Sequence, residues 1–405
     1  MSLVVSQLTI SCSNDEKVET NQTLQEQIAN LSKQPYSKLT PADQKVKLEA
    51  EANEMLTQLD KSKNSSAIEA IENLKRLLEL NSIDISDGKN NNKIDDILNV
   101  SGVYGIYTWD NKGSVWVKTP STTDLKFVFP SKKSQTANNA IFSTKSISSE
   151  IKVPYNDDYE QDANNWVYLP LSSDAVLTID GNSSATFTQT AKYANGKEIP
   201  NEFAYKMVLN DGYTWEMSGT KATANTSKAL FTYNDKNLIG FNAGSTAQID
   251  ALLDNKELTQ YRGKSNGLFS LMDNFVIVAD MDLATAAVDD AALAKSVVRP
   301  TDHNSSTYYA DYSAYNKKIA EGEATNFNKN MKLILVSKKD GTKIADIIQH
   351  SEKDQDNNNS NVEYYNATYY LKFNDSTEAA MSTYFSKGFD TLITKFEDFI
   401  IAFNK

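Results

Sequence analysis

The chain has 405 residues, of which 40% are hydrophobic and 23% charged, with one cysteine, two histidines and a formal net charge of −12 at pH 7. The length indicates a globular protein of about two or three domains, and no segment reaches the roughly 18 consecutive apolar residues of a membrane-spanning helix. A single cysteine excludes an intrachain disulfide framework, and with two histidines it cannot complete a nitrogen and sulfur zinc site. The acidic charge argues against nucleic-acid binding.

A lipid anchor is predicted at Cys12, the only cysteine. It ends the segment LTISC (8–12) and precedes the polar segment SNDE (13–16). This arrangement resembles a bacterial lipobox, and the acidic residues resemble the export signal of Bacteroidota-type surface lipoproteins. The resemblance implies that residues 1–12 are a signal remnant and that the protein is attached to the outer membrane by lipid only, exposed at the cell surface. The alternative is a free thiol in an N-terminal tail.

The next segments predict a tether and then two helices. Residues 13–38 are mostly polar and predict a tether. Residues 39–100 predict a helical hairpin, in which Thr40 is the N-cap of the first helix and Pro41 its first residue. The second helix opens with a capping box at Ser66, and apolar residues at helical spacing follow both starts.

From residue 103 onward, the apolar period changes from 3.6 to 2 residues. Residues 101–265 predict an antiparallel β domain, and residues 266–405 predict a second β domain that ends in a long helix. One apolar and one polar face per strand is typical of antiparallel sheets with one solvated side. An order of four strands and a helix occurs within 185–260 and again within 306–390, so a duplication stays open. The second set is predicted to begin with a strand at 308–315 and to end with a helix that opens at residue 375. The predicted fold class is α+β, with each sheet region closed by a helix.

The last segment predicts a long C-terminal helix because its apolar residues recur every three or four positions. They are Phe385, Phe389, Leu392, Ile393, Phe396, Phe399, Ile400 and Phe403. Its polar side lacks the Lys- and Arg-rich character of a membrane-surface helix. Packing across a sheet, with Phe396 in the core, is therefore favoured over docking to a membrane or a partner.

Exposed aromatic residues are the candidate binding residues. Tyr364 and Tyr370 are predicted on the polar face of one strand, where tyrosines can stack on sugar rings and hydrogen-bond to hydroxyl groups. Trp109 and Trp116 flank a predicted hairpin turn and are candidates of the same kind. The alternatives are the ordinary β-propensity of tyrosine and burial of the tryptophans.

Asp280 and Asp282 are the candidate catalytic residues, since paired carboxylates can act as acid and base in a hydrolase. The alternative is that one of them caps the helix that follows. The common catalytic motifs are missing from the sequence. The Asn- and Asp-rich segment 354–365 lacks the Gly and Glu of a calcium loop, so no metal or cofactor is predicted.

The sequence therefore predicts a lipid-anchored extracytoplasmic protein that acts as a binding or structural module at the cell surface. Its predicted partner is a glycan or an envelope or surface protein. A secreted hydrolase that uses Asp280 and Asp282 is the alternative, and a non-enzymatic role is favoured.

Overall fold

A computed structural model shows, among the residues that it describes, one sheet of 16 strands. The structure describes residues 22–62, 65–81, 83, 97–154, 166–194, 196–255, 258–355 and 361–384. The strands are β1 (Gly105–Asp110), β2 (Val115–Thr119), β3 (Leu125–Phe129), β4 (Ala140–Pro154), β5 (Trp166–Ile179), β6 (Asn182–Lys192), β7 (Glu202–Leu209), β8 (Tyr213–Thr220), β9 (Asn225–Tyr233), β10 (Lys236–Ser245), β11 (Lys264–Leu271), β12 (Phe275–Asp282), β13 (Met331–Ser337), β14 (Thr342–Lys353), β15 (Tyr365–Lys372) and β16 (Glu378–Ala380).

The described helices lie before, within and after the strand sequence. They are α1 (Leu24–Ser32), α2 (Pro41–Ser62), α3 (Ser66–Leu80), α4 (Ile249–Asp254), α5 (Leu283–Ser296), α6 (Tyr308–Asn330) and α7 (Met381–Tyr384), with a short 3-10 turn at Thr259–Tyr261. The predicted combination of helices with a mostly antiparallel sheet is confirmed.

The sheet is a meander in which sequence neighbours are also spatial neighbours from β3 to β16. β1 pairs parallel with β3 and antiparallel with β2, which forms one edge. The sheet continues without a break from β10 through β11 to β12. Residue 265 therefore lies inside one sheet, and the two β regions predicted on either side of it share that sheet.

Side-chain alternation gives the sheet a core face and a polar face. Large apolar residues of successive strands share the core face because the register aligns them across the sheet. They include Tyr107, Phe127, Phe142, Leu177, Phe187, Met207, Phe231 and Phe275. The polar face carries threonines and charged pairs, such as Lys206 and Glu216, whose side chains lie 2.6 Å apart.

Two N-terminal helices cover the core face in succession. Thr40 Oγ1 accepts the backbone N–H of Asp43 at the start of α2, as predicted, whereas the cap of α3 is Ser65. Leu74 of α3 packs in the core of the first strands, and Leu48 of α2 packs against β12 to β15. Met55 of α2 also belongs to the cluster that contains Leu74, so both predicted helices contribute to the core on this face.

α1 corrects the tether predicted for residues 13–38. Thr23 and Glu26 form a capping box at its start. Leu24, Ile28 and Leu31 form one apolar side, which packs on the polar face over Val276 and neighbouring valines of β12 and β13. The spacing of four and three residues between these apolar positions makes the segment a packed helix.

The second copy of the predicted strand order is not present. Residues 308–315 lie in α6, where Tyr308, Tyr312 and Tyr315 are one helical turn apart and successive rings are tilted, with centroids 5.8 Å apart. This helical spacing overrides the β-propensity of tyrosine. The helix predicted to open at residue 375 is replaced by β16 and the short α7. The predicted long C-terminal helix and Phe396 lie outside the described residues.

The core beneath α3 yields a stability prediction. Leu74 is 0% exposed and Leu80 of the same helix is 60% exposed. Leu74→Ala is expected to lower the free energy of unfolding by about 2–5 kcal/mol, because it leaves a cavity. Leu80→Ala is the matched control and should change it by less than about 0.5 kcal/mol. Urea denaturation measures both; equal effects would contradict the packing of α3.

Candidate binding surface on the polar face

The two predicted tryptophans attach a helix to the first hairpin. Trp109 is 4% exposed, and its ring meets that of Trp116 edge-on with centroids 5.3 Å apart. The Trp116 ring N–H donates to the Leu77 carbonyl oxygen at 3.3 Å. The predicted binding role is therefore replaced by packing: Trp109 is buried in the core, and Trp116 holds α3 on the sheet.

Asp282 is used as a helix cap. Its Oδ1 accepts the backbone N–H of Thr285 at 3.0 Å, and Lys264 Nζ lies 3.6 Å from Oδ2. The hydrogen bond from the Thr285 backbone, foremost, keeps the pKa of Asp282 below its usual value, so the carboxylate remains charged and is a poor proton donor. Asp280 is exposed on the same strand. The alternative, helix capping, therefore accounts for Asp282. Because Asp282 remains charged, it is not a suitable acid for the predicted catalytic pair.

Tyr370 lies at the centre of a cluster that we call the Tyr370 surface: His350, Glu352, Tyr370, Lys372 and Glu378 on β14, β15 and β16. The Tyr370 hydroxyl donates to Glu352, and its ring meets His350 edge-on at 4.8 Å. His350 Nε2 lies 2.6 Å from Glu378 Oε2, and Lys372 Nζ lies 3.4 Å from Glu378 Oε1. The cluster therefore joins aromatic rings to two carboxylates.

The pairing register creates this cluster from distant residues. Tyr370 pairs with Ile348 of β14 and with Ala380 of β16. Residues two apart on a strand share a face, so His350 and Glu352 lie on the polar face with Tyr370. On the opposite side of β15, Phe327 of α6 packs edge-on against Tyr369.

Neighbouring groups shift the pKa values of Tyr370 and Glu378. The hydrogen bond to Glu352 raises the pKa of Tyr370 to about 12, so its hydroxyl remains a donor at neutral pH. Partial burial pulls the pKa of Glu378 up, but the His350 hydrogen bond and the Lys372 charge together hold it below its usual value. The Glu378 carboxylate is thus a charged hydrogen-bond acceptor.

Tyr364 stands apart from this cluster. It is 38% exposed and precedes β15, and its carbonyl oxygen accepts the backbone N–H of Asp354 at 2.9 Å. Six residues of extended chain separate it from Tyr370, a distance of about 20 Å at 3.3 Å per residue. The two predicted tyrosines therefore mark the ends of a strip and do not form one compact platform.

A groove lies beside α1 on the polar face, with a volume of about 410 Å³. Gln27 and Asn30 of α1 form one wall, and Asn242 and Lys228 belong to the strands beneath. Gly240 lies at the bottom of the groove, where there is no room for a side chain: a Cβ at that position would lie 2.4 Å from Ser270 Oγ. A glycine inside a strand is the sequence signal for such a close approach.

The remaining observations concern the predicted lipid anchor, metal binding and similarity to known proteins. Cys12 lies outside the described residues. Within the described ranges, no helix has the length and apolar character needed to cross a membrane, and no three His, Cys, Asp or Glu side chains gather as a metal site. The sequence matches no protein-family profile, and no characterised protein or solved structure is similar to it.

Sequence reasoning found Tyr370 and missed its partners. His350 and Glu378 are 28 positions apart in sequence. Strand alternation predicts which residues of one strand share a face, but it does not predict contacts between strands. Their contact depends on the register of β14, β15 and β16, which a single sequence does not specify. The sequence signal for these partners was that His350 and Glu352 are two positions apart and therefore face the same side of one strand.

Asp282 yields a pH prediction. Its pKa is lower in the folded protein than in the unfolded chain, so its contribution to stability is present at neutral pH. That contribution is lost as the pH falls below about 4 and the carboxylate is protonated. Asp282→Ala should therefore lower the Tm at pH 7, and its difference from the wild type should shrink at acidic pH.

Two variants control this experiment, which is followed by thermal unfolding between pH 3 and pH 7. Asp282→Asn retains a capping oxygen and should keep most of the Tm at pH 7. Asp280→Ala removes the exposed neighbour and should leave the Tm unchanged. An equal loss in Asp280→Ala would contradict a specific role for the cap.

Proposed function

We propose that the chain is a lipid-anchored binding protein of the cell surface that holds a glycan on the Tyr370 surface. The observation that carries the proposal is the joining of Tyr370, His350 and two carboxylates on the polar face. Protein surfaces use tyrosine for contacts in which one edge is apolar and the hydroxyl is hydrogen-bonded. Strands hold these groups, so little ordering of loops opposes binding.

A neutral, hydroxyl-rich ligand suits the charges of this surface. Glu352 and Glu378 are acceptors for hydroxyl groups, whereas they would repel an anionic polymer. The net charge of −12 acts in the same direction over longer distances. The exposed strip that extends from Tyr370 to Tyr364 favours a chain-like ligand over a single small molecule. A surface protein segment is the alternative partner.

The anchor proposal rests on the lipobox resemblance at Cys12. The position of α1 limits the distance between a lipid on Cys12 and the sheet. The packed part of the chain begins near Thr23, whose carboxyl-terminal neighbours form α1. The covalent chain between Cys12 and that point can extend to about 40 Å at most, at 3.3–3.6 Å per residue. A lipid on Cys12 would therefore keep the sheet close to the membrane surface.

Replacement of Tyr370 tests the binding proposal. Titration with a panel of neutral oligosaccharides should identify a ligand whose affinity falls at least about tenfold, or about 1.4 kcal/mol, in Tyr370→Ala. Glu352→Gln should weaken the same ligand, because the amide is a poorer acceptor than the carboxylate. Both variants are compared by calorimetry with the unmodified chain.

Tyr309→Ala is the matched control, since Tyr309 of α6 is 53% exposed and lies away from the Tyr370 surface. It should bind the oligosaccharide as the parent chain does. Equal binding by Tyr370→Ala and the parent would refute the assigned site. Binding of a surface protein that competes at Tyr370, without any glycan, would support the alternative partner.

Cys12→Ser tests the anchor. If the thiol carries lipid, the variant should move from the membrane fraction to the soluble fraction of the natural host. Its Tm should remain unchanged, because the variant alters only the attachment. Mass spectrometry of the parent should show a diacylglycerol adduct on Cys12. A parent protein with a free thiol in the soluble fraction would rule out the anchor and leave the glycan proposal standing.

A further inference from the structure

The groove beside α1 crosses five neighbouring strands of the sheet. Its lining extends from Lys228 on β9 to Lys338, which directly follows β13. Four strand spacings separate β9 from β13, which corresponds to about 19 Å. The volume of about 410 Å³ lies within the range of small-molecule sites. The groove therefore has room for a small, elongated molecule.

Two lysines give this groove a positive charge. No acidic side chain is present among the described residues that line it. Neither Lys228 nor Lys338 has an ion-pair partner within the described ranges. The carboxylate nearby, that of Asp273, accepts a hydrogen bond from Asn237 of the lining at 2.6 Å. Both ammonium groups are therefore available to an anionic ligand.

The register explains why Lys228 is left without a carboxylate. Its cross-strand neighbours are Ser218 on β8 and Asn242 on β10, which are both uncharged. Lys206 on β7 is different, because its neighbour is Glu216 and the two side chains form an ion pair at 2.6 Å. Lysines of this polar face are thus neutralised where the register provides a carboxylate, and Lys228 is not.

Uncharged side chains complete the lining. Gln27 and Asn30 of α1 and Asn242 of β10 carry amide groups, and Leu268 and Val276 add apolar atoms beneath them. An amide can donate and accept hydrogen bonds, and so can a sugar hydroxyl group. Apolar atoms together with a few polar groups are typical of small-molecule sites. This lining suits a sugar ring, which has apolar faces and a polar edge.

The wall formed by α1 is held in place. The capping box of Thr23 and Glu26 fixes the start of the helix. Ile28, which is 9% exposed, packs with Val276 in the cluster beneath α1. Because the helix and the strands already form the groove, little ordering of the protein opposes ligand binding.

We propose that the groove beside α1 binds a short acidic oligosaccharide. Lys228 and Lys338 hold carboxylates at the two ends of the ligand, and the amide side chains between them bond to its hydroxyl groups. The proposal does not rest on the Tyr370 surface, which lies on β14 to β16. Charge distinguishes the two sites, since the Tyr370 surface contains Glu352 and Glu378, whereas the groove contains lysines.

Calorimetric titration with trigalacturonate tests the proposal, and maltotriose is the neutral probe of equal length. Trigalacturonate should bind, and maltotriose should not displace it, because charged hydrogen bonds are stronger than neutral ones. Lys228→Met and Lys338→Met should each weaken trigalacturonate binding about tenfold. Lys228→Arg retains the charge and should retain most of the affinity.

Lys332→Met is the matched control. Lys332 is exposed on the same face, beside Asp280, and does not line the groove. The variant makes the same change in net charge and should bind trigalacturonate as the parent chain does. All of these lysines are exposed, so the Tm of each variant should remain unchanged.

Three outcomes would overturn the proposal. The first is that trigalacturonate does not bind, which would leave the Tyr370 proposal standing. The second is binding that Tyr370→Ala abolishes and Lys228→Met leaves unchanged, since the acidic sugar would then occupy the Tyr370 surface. The third is equally tight binding of tricarballylate, which carries three carboxylates and no sugar ring, because the groove would then recognise charge alone.

Discussion

The structure depends on one constraint, the alternation of side chains across a single sheet in which every strand must keep its register. A slip of one residue would move all apolar side chains of a strand from the core face to the polar face. The pairs Phe142–Leu177 and Phe187–Met207 show how successive strands keep the apolar set together. Because no second sheet covers this set within the described residues, helices must do so.

The N-terminal segment supplies that cover and also joins the two faces. Between α1 and α2, the chain passes along the start of β14, where Lys343 bonds through its backbone to Pro35 and Ser37. Tyr36 donates its hydroxyl to Asp346 on the polar face. These contacts link the beginning of the chain to its last strands, so the final packing requires long loops to close, which is typical of slow folding.

Local signals in the sequence predicted most single elements. The hairpin of β1 and β2, the cap at Thr40 and the strand that ends at Asp282 were all readable because each depends on neighbours in sequence. The strand predicted at 308–315 was wrong because tyrosines at helical spacing also suit a strand. The strands on which α2 and α3 pack were not readable, because the partner of an apolar helix depends on surfaces far away in the chain.

The candidate site also combines a local feature that the sequence predicts with distant contacts that it does not. Tyr370 was predicted from alternation alone, which depends only on its own strand. The contacts that give it chemical character come from Glu352 on one neighbouring strand and, through His350, from Glu378 on the other. Such contacts need the register as well as the period. The duplication left open from the strand order fails for a related reason, since equal patterns do not imply equal pairing.

The two faces of the sheet therefore differ in the helices and side chains that they carry. The core face carries α2, α3 and α6. The polar face carries α1 over one valine-lined patch and otherwise offers polar groups held rigidly on strands. A ligand that binds the Tyr370 surface would leave the core packing undisturbed, because β14 and β15 present their other sides to α6. Substitutions at the proposed Tyr370 site would therefore alter binding without altering the core packing, which a site built into the core would not allow.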